Sequence, residues 1–182
     1  MNIEKTPLND VIVISPRVFK DDRGYFFESF NANDVAGTEL AKYNWIQENE
    51  SKSTKGVLRG LHFQKGSYAQ AKLVRVIIGE VYDVAVDLRT DSSSFGKWHA
   101  EFLTGDNKKQ FLVPRGFAHG FLVLSDMAIF SYKCDNFYSP QHDSGIIYND
   151  QDLEIKWPDT GAEYQCSDKD KNLDSFSKAY KF

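Results

Sequence analysis

Short apolar runs, broken at close intervals by turn residues, organise this chain. Val11-Ile12-Val13-Ile14 is a β-branched run closed by Ser15-Pro16, which reads as a strand running into a turn. The turn Asp21-Asp22-Arg23-Gly24 precedes an aromatic strand over residues 25–30. Asn31 or Asn33 can cap a short helix through about residue 43, with Gly37 weakening it. Residues 45–49 read as extended and 52–55 as a polar connection. Residues 73–78 and 81–88 are expected to form a hairpin about Gly79, whose missing side chain suits an unusual backbone angle. Alternation puts Val81, Asp83, Ala85 and Asp87 on one face and Tyr82, Val84, Val86 and Leu88 on the other. Residues 98–103 and 129–134 are further strands, and 111–113 with 119–124 are expected to pair across Pro114-Arg115-Gly116. Residues 145–148 and 153–157 read as short extended pieces, and the tail from Ser167 as helical or irregular. Many short strands without an internal linker predict one all-β domain over residues 1–182, a sandwich or barrel with short peripheral helices.

Length and charge narrow the function. A chain of 182 residues can bury a substantial core, and its formal net charge of −4 argues against a nucleic-acid footprint. No apolar run is long enough to cross a bilayer, and Met1-Asn2-Ile3-Glu4-Lys5 does not read as a signal peptide, so a cytoplasmic protein is expected. Cys134 and Cys166 stand apart without zinc-knuckle spacing and are expected to be reduced.

The chemistry concentrates in Gly56-Val57-Leu58-Arg59-Gly60-Leu61-His62-Phe63-Gln64, where an arginine and a histidine interrupt a strand. Such groups are tolerated there when they face a polar cavity. Period-2 geometry separates Arg59 from His62, so both reach one cavity only if the strand bulges, and Gly60 is the place for it. His62 and His119, the latter in Pro114-x-Gly116-x-x-His119, resemble the two short motifs of cupins, which are jelly-roll barrels holding a ligand inside. Many cupins bind a metal through His-x-His, but here the second position is Gln64, so no metal is expected. The histidines are then free for acid–base work or hydrogen bonding.

More of the chain resembles one cupin family, the dTDP-4-dehydrorhamnose 3,5-epimerases. The matching pieces include Asp22-Arg23-Gly24-Tyr25-Phe26-Phe27-Glu28-Ser29, Gln47-Glu48-Asn49, Val57-Leu58-Arg59-Gly60-Leu61-His62-Phe63-Gln64, Gln70-Ala71-Lys72-Leu73-Val74-Arg75 and Gly79-Glu80-Val81-Tyr82-Asp83-Val84-Ala85-Val86-Asp87. Pro114-Arg115-Gly116-Phe117-Ala118-His119-Gly120-Phe121, Tyr132-Lys133 and Ser167-x-Lys169-Asp170 complete the set, in family order.

The resemblance implies a cofactor-free epimerase acting on a dTDP-4-keto-6-deoxy sugar, in a homodimer. His62 would be the base, Asp170 its orienting partner, Lys72 the group that stabilises the enolate, and Tyr132 the acid on the other side of the ring. It places Arg23, Glu28, Gln47, Asn49, Arg59, Lys72, His119, Asp143 and Lys169 in substrate binding. A glutamate that contacts substrate in the family is absent near residue 143, where Asp143 is the nearest carboxylate. Asp170 also has a plain reading, because Ser167-x-x-Asp170 is a capping pattern that starts a helix. The resemblance implies that an N-terminal strand joins the partner's sheet, with residues 11–14 as the candidate. The remaining readings are an enzyme inverting C3 alone or C5 alone, a sugar-nucleotide-binding cupin without activity, and a metal-dependent cupin.

Overall fold

Turn residues divide the apolar runs into thirteen short strands and one short α-helix, in a computed structural model that describes residues 1–161 and 163–182. The strands are β1 (Asn2–Lys5), β2 (Ile12–Ser15), β3 (Phe19–Asp21), β4 (Gly24–Phe26), β5 (Gln47–Thr54), β6 (Leu58–Gln64) and β7 (Lys72–Ile78). They continue with β8 (Glu80–Asp87), β9 (Trp98–Thr104), β10 (Gln110–Val113), β11 (Phe117–Val123), β12 (Met127–Cys134) and β13 (Asp143–Gly145), and the helix is α1 (Asp168–Lys171). A six-stranded sheet in the order β1-β2-β10-β7-β12-β5 faces a five-stranded sheet in the order β13-β6-β11-β8-β9. This is the jelly-roll barrel expected from the chain, and β3 with β4 form a separate two-stranded hairpin.

Apolar residues from both sheets meet between them. Val74, Val76, Phe111 and Phe130 come from the six-stranded sheet, and Val81, Ala85, Leu103 and Phe121 from the five-stranded one. The outer face of the five-stranded sheet is buried too, since Val84 and Val86 pack with Ile146, Leu153, Trp157 and Phe176. On the other side, Ile12, Ile14 and Leu112 are covered by Val35, Leu40 and Trp45. The alternation read along β8 therefore holds, with apolar residues buried on both of its faces.

Two expected hairpins are instead corners between sheets. β7 pairs with β10 and β12, whereas β8 pairs with β9 and β11, so Gly79 carries the chain from one sheet to the other. Gly79 has φ 86°, and a Cβ there would lie 2.1 Å from the Met127 carbonyl oxygen, so no other residue fits the corner. β10 and β11 likewise lie in different sheets, despite the tight turn joining them. Alternating hydrophobicity fixes which face a residue takes, but both geometries satisfy it.

Other boundaries shift. The helix expected from Asn31 or Asn33 is only a 3₁₀ turn at Glu39–Lys42, capped by Thr38, whose hydroxyl accepts from the Leu40 amide. The polar connection at 52–55 is the end of β5, an edge strand made of polar residues, as unpaired edges commonly are. The aromatic strand ends at Phe26, and residues 153–157 are irregular. Residues 12–14 cannot add to a partner's sheet, because β2 is already paired on both sides, by β1 and β10. The open edges of that sheet are β1 and β5.

Candidate active site

Strand β6 brings the site together by breaking its own alternation. Arg59 pairs with Phe121 and His62 with His119, so three steps along β6 oppose two along β11. The extra residue falls at Gly60-Leu61, the bulge expected at Gly60, and it turns Arg59 and His62 into the same cavity. Gly60 has φ 121°, and a Cβ on it would come within 2.5 Å of the Gly120 Cα, so the two strands close up only around glycines.

His62 is held from outside the sheets. Its Nε2 lies 2.6 Å from Asp170 Oδ1. Ser167 caps α1, its hydroxyl accepting from the Asp170 amide at 3.1 Å, so the capping pattern and the histidine contact coexist in one residue. Burial of Asp170 opposes its ionisation, but the His62 hydrogen bond and the Gly60 and Ser167 contacts outweigh it and hold the carboxyl below its ordinary range. An ionised carboxylate only accepts, so Nε2–H donates and Nδ1 is the His62 nitrogen left for a ligand.

A cavity of about 380 Å³ is lined by Arg59, His62, Lys72, His119, Tyr132, Lys169 and Asp170, with Phe121 and Phe130 at its apolar side. A second, of about 320 Å³, shares His62, Lys72 and Tyr132 and adds Gln47, Asn49, Gln64, Gln70, Tyr138 and Asp143. The shared trio therefore stands at the waist of one cleft. His62 comes from the five-stranded sheet, and Lys72 and Tyr132 from the six-stranded sheet facing it. Loss of hydration lowers the Lys72 ammonium pKa and raises that of the Tyr132 phenol. Lys72 Nζ sits 5.9 Å from the Tyr132 ring centroid.

The other expected residues divide. Gln47, Asn49 and Asp143 line the second cavity, and Arg59, His119 and Lys169 the first. Lys169 forms an ion pair with Asp143, which also accepts from the Tyr138 hydroxyl at 2.9 Å. His119 Nε2 is 2.8 Å from Asp83 Oδ1. Arg23 and Glu28 do not line this cleft. Arg23 is at the tip of the β3–β4 hairpin, 89% exposed and paired with Asp21, and Glu28 lines a separate hollow with Phe30 and Asn31. Tyr138 escaped the sequence reading, because Tyr138-Ser139-Pro140 signals only a turn.

Gln64, at the position where many cupins place a second histidine, has its amide fully engaged. Its Nε2 donates to the Tyr68 and Phe137 carbonyls at 2.8 and 3.1 Å, and its Oε1 accepts from the Ser139 amide at 2.5 Å. Among the described residues, no three His, Cys, Asp or Glu side chains converge on a point that could hold a metal ion.

The family model for dTDP-4-dehydrorhamnose 3,5-epimerase matches residues 5–178. The chain belongs to this family. It is 52% identical over 173 residues to dTDP-4-dehydrorhamnose 3,5-epimerase of Escherichia coli K12, covering 95% of this chain and 93% of that one. The crystal structure of the Elizabethkingia anophelis enzyme of that name superposes with a TM-score of 0.92 at 52% identity, covering 99% of both chains. A 3,5-epimerase from Legionella pneumophila, solved in complex with dTDP-4-keto-L-rhamnose, gives 0.93 at 45% identity over 97% of this chain and 93% of that one. Membership of the family makes the chain an isomerase on the jelly-roll scaffold described above.

Proposed function

We propose that this protein converts dTDP-4-dehydro-6-deoxy-D-glucose to dTDP-4-dehydro-L-rhamnose, inverting C3 and C5. The observation that carries the reading is the waist of the cleft, where an imidazole on one sheet faces a phenol and an ammonium on the other. Inversion beside a ketone needs a base on one face of the sugar ring and an acid on the opposite face.

His62 Nδ1 takes the proton from the carbon next to the C4 ketone, and the C–H electron pair moves through C4 onto the carbonyl oxygen. Lys72 meets that oxyanion with a positive charge fixed in advance, which stabilises charge only as it develops. Tyr132 then gives its hydroxyl proton to the carbon from the far side. Burial keeps the phenol protonated until it is needed, and solvent restores it afterwards. Asp170 supports the imidazolium formed in the first step, as a carboxylate partner does for other histidine bases. Arg59 and Lys169 meet the diphosphate, since a guanidinium takes phosphate oxygens in pairs and the Lys169–Asp143 ion pair stands where the two cavities join, while His119 lines the first cavity on the sugar side. Gln47, Asn49 and Asp143 line the second cavity. The protein acts as a homodimer, and Arg23 and Glu28 lie outside the cleft of their own chain. The protein works in the cytoplasm with neither metal nor cofactor.

Incubation with dTDP-4-dehydro-6-deoxy-D-glucose in deuterated water tests the reading. Deuterium at both C3 and C5 of an L-configured product is expected. Deuterium at one carbon alone would make the protein a mono-epimerase, and none at either would make it a binding protein.

A further inference from the structure

Two loops, residues 65–71 and 135–142, reach the second cavity through Gln70 and Tyr138 and share no strand ladder; we call them its mouth loops. Side chains tie them together. Gln70 Nε2 donates to the Asn136 carbonyl at 2.7 Å, Asn136 Nδ2 returns to the Ser67 carbonyl at 3.0 Å, and Asp135 Oδ1 accepts from the Ala71 amide at 2.7 Å. The Tyr68 and His142 rings stack 3.9 Å apart across the same gap.

Gln64 is the tie that reaches both loops from the catalytic strand. It lies two residues beyond His62 on β6, so the two side chains leave the same face of the sheet. It is 3% exposed, and its amide holds one loop by Tyr68 and the other by Phe137 and Ser139. Between those last two residues stands Tyr138, whose ring is exposed at the cleft, whose hydroxyl is on Asp143 and whose amide is on Gln47.

We infer that Gln64 is a positioning residue for substrate recognition, fixing the distance between the mouth loops and the base on one rigid strand. The inference rests on the proposed function above. A long nucleotide sugar can bring its reacting carbons to His62 only if its other end is stopped at a set distance. A strand rising a few ångströms per residue is a stiffer ruler than two loops. Gln64 acts through Tyr138 and its neighbours, and has no free hydrogen-bonding atom to offer the substrate.

The test measures thymidine diphosphate binding by calorimetry, and KM and kcat with the sugar substrate, in Gln64→Met and Gln64→Glu. Methionine keeps length and apolar bulk but leaves two carbonyls and an amide unpartnered, and glutamate sets a carboxylate against the two carbonyls. Both are expected to weaken thymidine diphosphate and raise KM about tenfold or more, glutamate the more severely, with kcat within about threefold of the parent. Gln70→Leu cuts a peripheral tie and leaves β6 untouched, so a smaller change in the same direction is expected. It supplies the reading if neither Gln64 variant folds. Unchanged affinity in folded variants, or a loss confined to kcat, would overturn the inference. A parent that fails to bind thymidine diphosphate would instead overturn the proposed function.

Discussion

Two imidazole–carboxylate pairs stand side by side in one cleft, and they are built for different work. His62 and His119 are direct cross-strand partners on β6 and β11, and each presents Nε2 to an aspartate, at 2.6 and 2.8 Å. The aspartates differ. Asp170 sits on a capped helical turn outside the barrel, with contacts that favour its charge, and its pKa is lowered. Asp83 sits on a central strand with Oδ2 buried and unpartnered, and desolvation raises its pKa despite His119. The His62 side chain is 30% exposed, against 7% for His119. A base that cycles protons needs access and a carboxylate that stays ionised beside it. The outer pair has both. The inner pair is suited to holding one hydrogen-bonding geometry.

The largest effect expected from this difference is at His62. His62→Ala should abolish both deuterium exchange and epimerisation, because no other side chain at the waist can remove the proton. Exchange at the parental rate in His62→Ala would hand the role of base to the inner pair.

The aspartates sharpen the contrast. Asp170→Asn should retain the fold and lose about a hundredfold or more in kcat, since an amide cannot stabilise the imidazolium. Asp83→Asn should stay within about threefold, because an amide oxygen still accepts from His119. The two should also part in how stability depends on pH. A carboxyl with a lowered folded pKa, Asp170, contributes stability that is full above the unfolded value near 4 and is lost as pH falls through the folded value. A carboxyl with a raised one, Asp83, works in the opposite sense and costs stability as pH rises past its unfolded value. Thermal melts from pH 3 to 7 should therefore flatten in the acid limb for Asp170→Asn and steepen for Asp83→Asn. Equal kcat losses in the two variants would erase the distinction.

Tyr132→Phe separates proton removal from proton return. The ring still fills its place against Phe130, so binding should persist. Inversion should fall further than exchange, because His62 can still take a proton and return solvent deuterium to the same face. The ratio of deuterium at C3 and C5 to L-product, for parent and variant, reads this directly. Equal losses would place Tyr132 in the first step.

Much of this was legible in the sequence, for identifiable reasons. Residue type and alternation carried the faces of β8, and the clash between Arg59 and His62 in period 2 demanded the bulge that Gly60 supplies. What escaped was partnership between strands distant in sequence. Gly79 looks the same at a hairpin and at a corner between sheets, so the pairing of β7 and β8 was misjudged. Asp83 showed only as a polar residue on a small-residue face, because its partner His119 is 36 positions away. Tyr138 and the second role of Gln64 depend on loops, whose placement no periodicity encodes.

The smallest expected effect is none at all, on removing divalent metal. Both histidines in the cleft already give Nε2 to a carboxylate, and Gln64 has committed its oxygen to the Ser139 amide and its nitrogen to two carbonyls. A transition ion in this cleft would have to draw on the two remaining Nδ1 atoms and pull at least one oxygen ligand out of an existing hydrogen bond. That is a poor donor set beside the three or four protein ligands such sites use. Lys72 lines the same waist, and the ammonium that the proposed mechanism assigns to it for the enolate oxygen would oppose a dication there. Exhaustive chelation should therefore leave kcat and KM unchanged, and metal analysis of the active protein should return well under one equivalent. Activity lost to a chelator and restored by a single divalent ion would mean that the ion, not Lys72, meets the oxyanion.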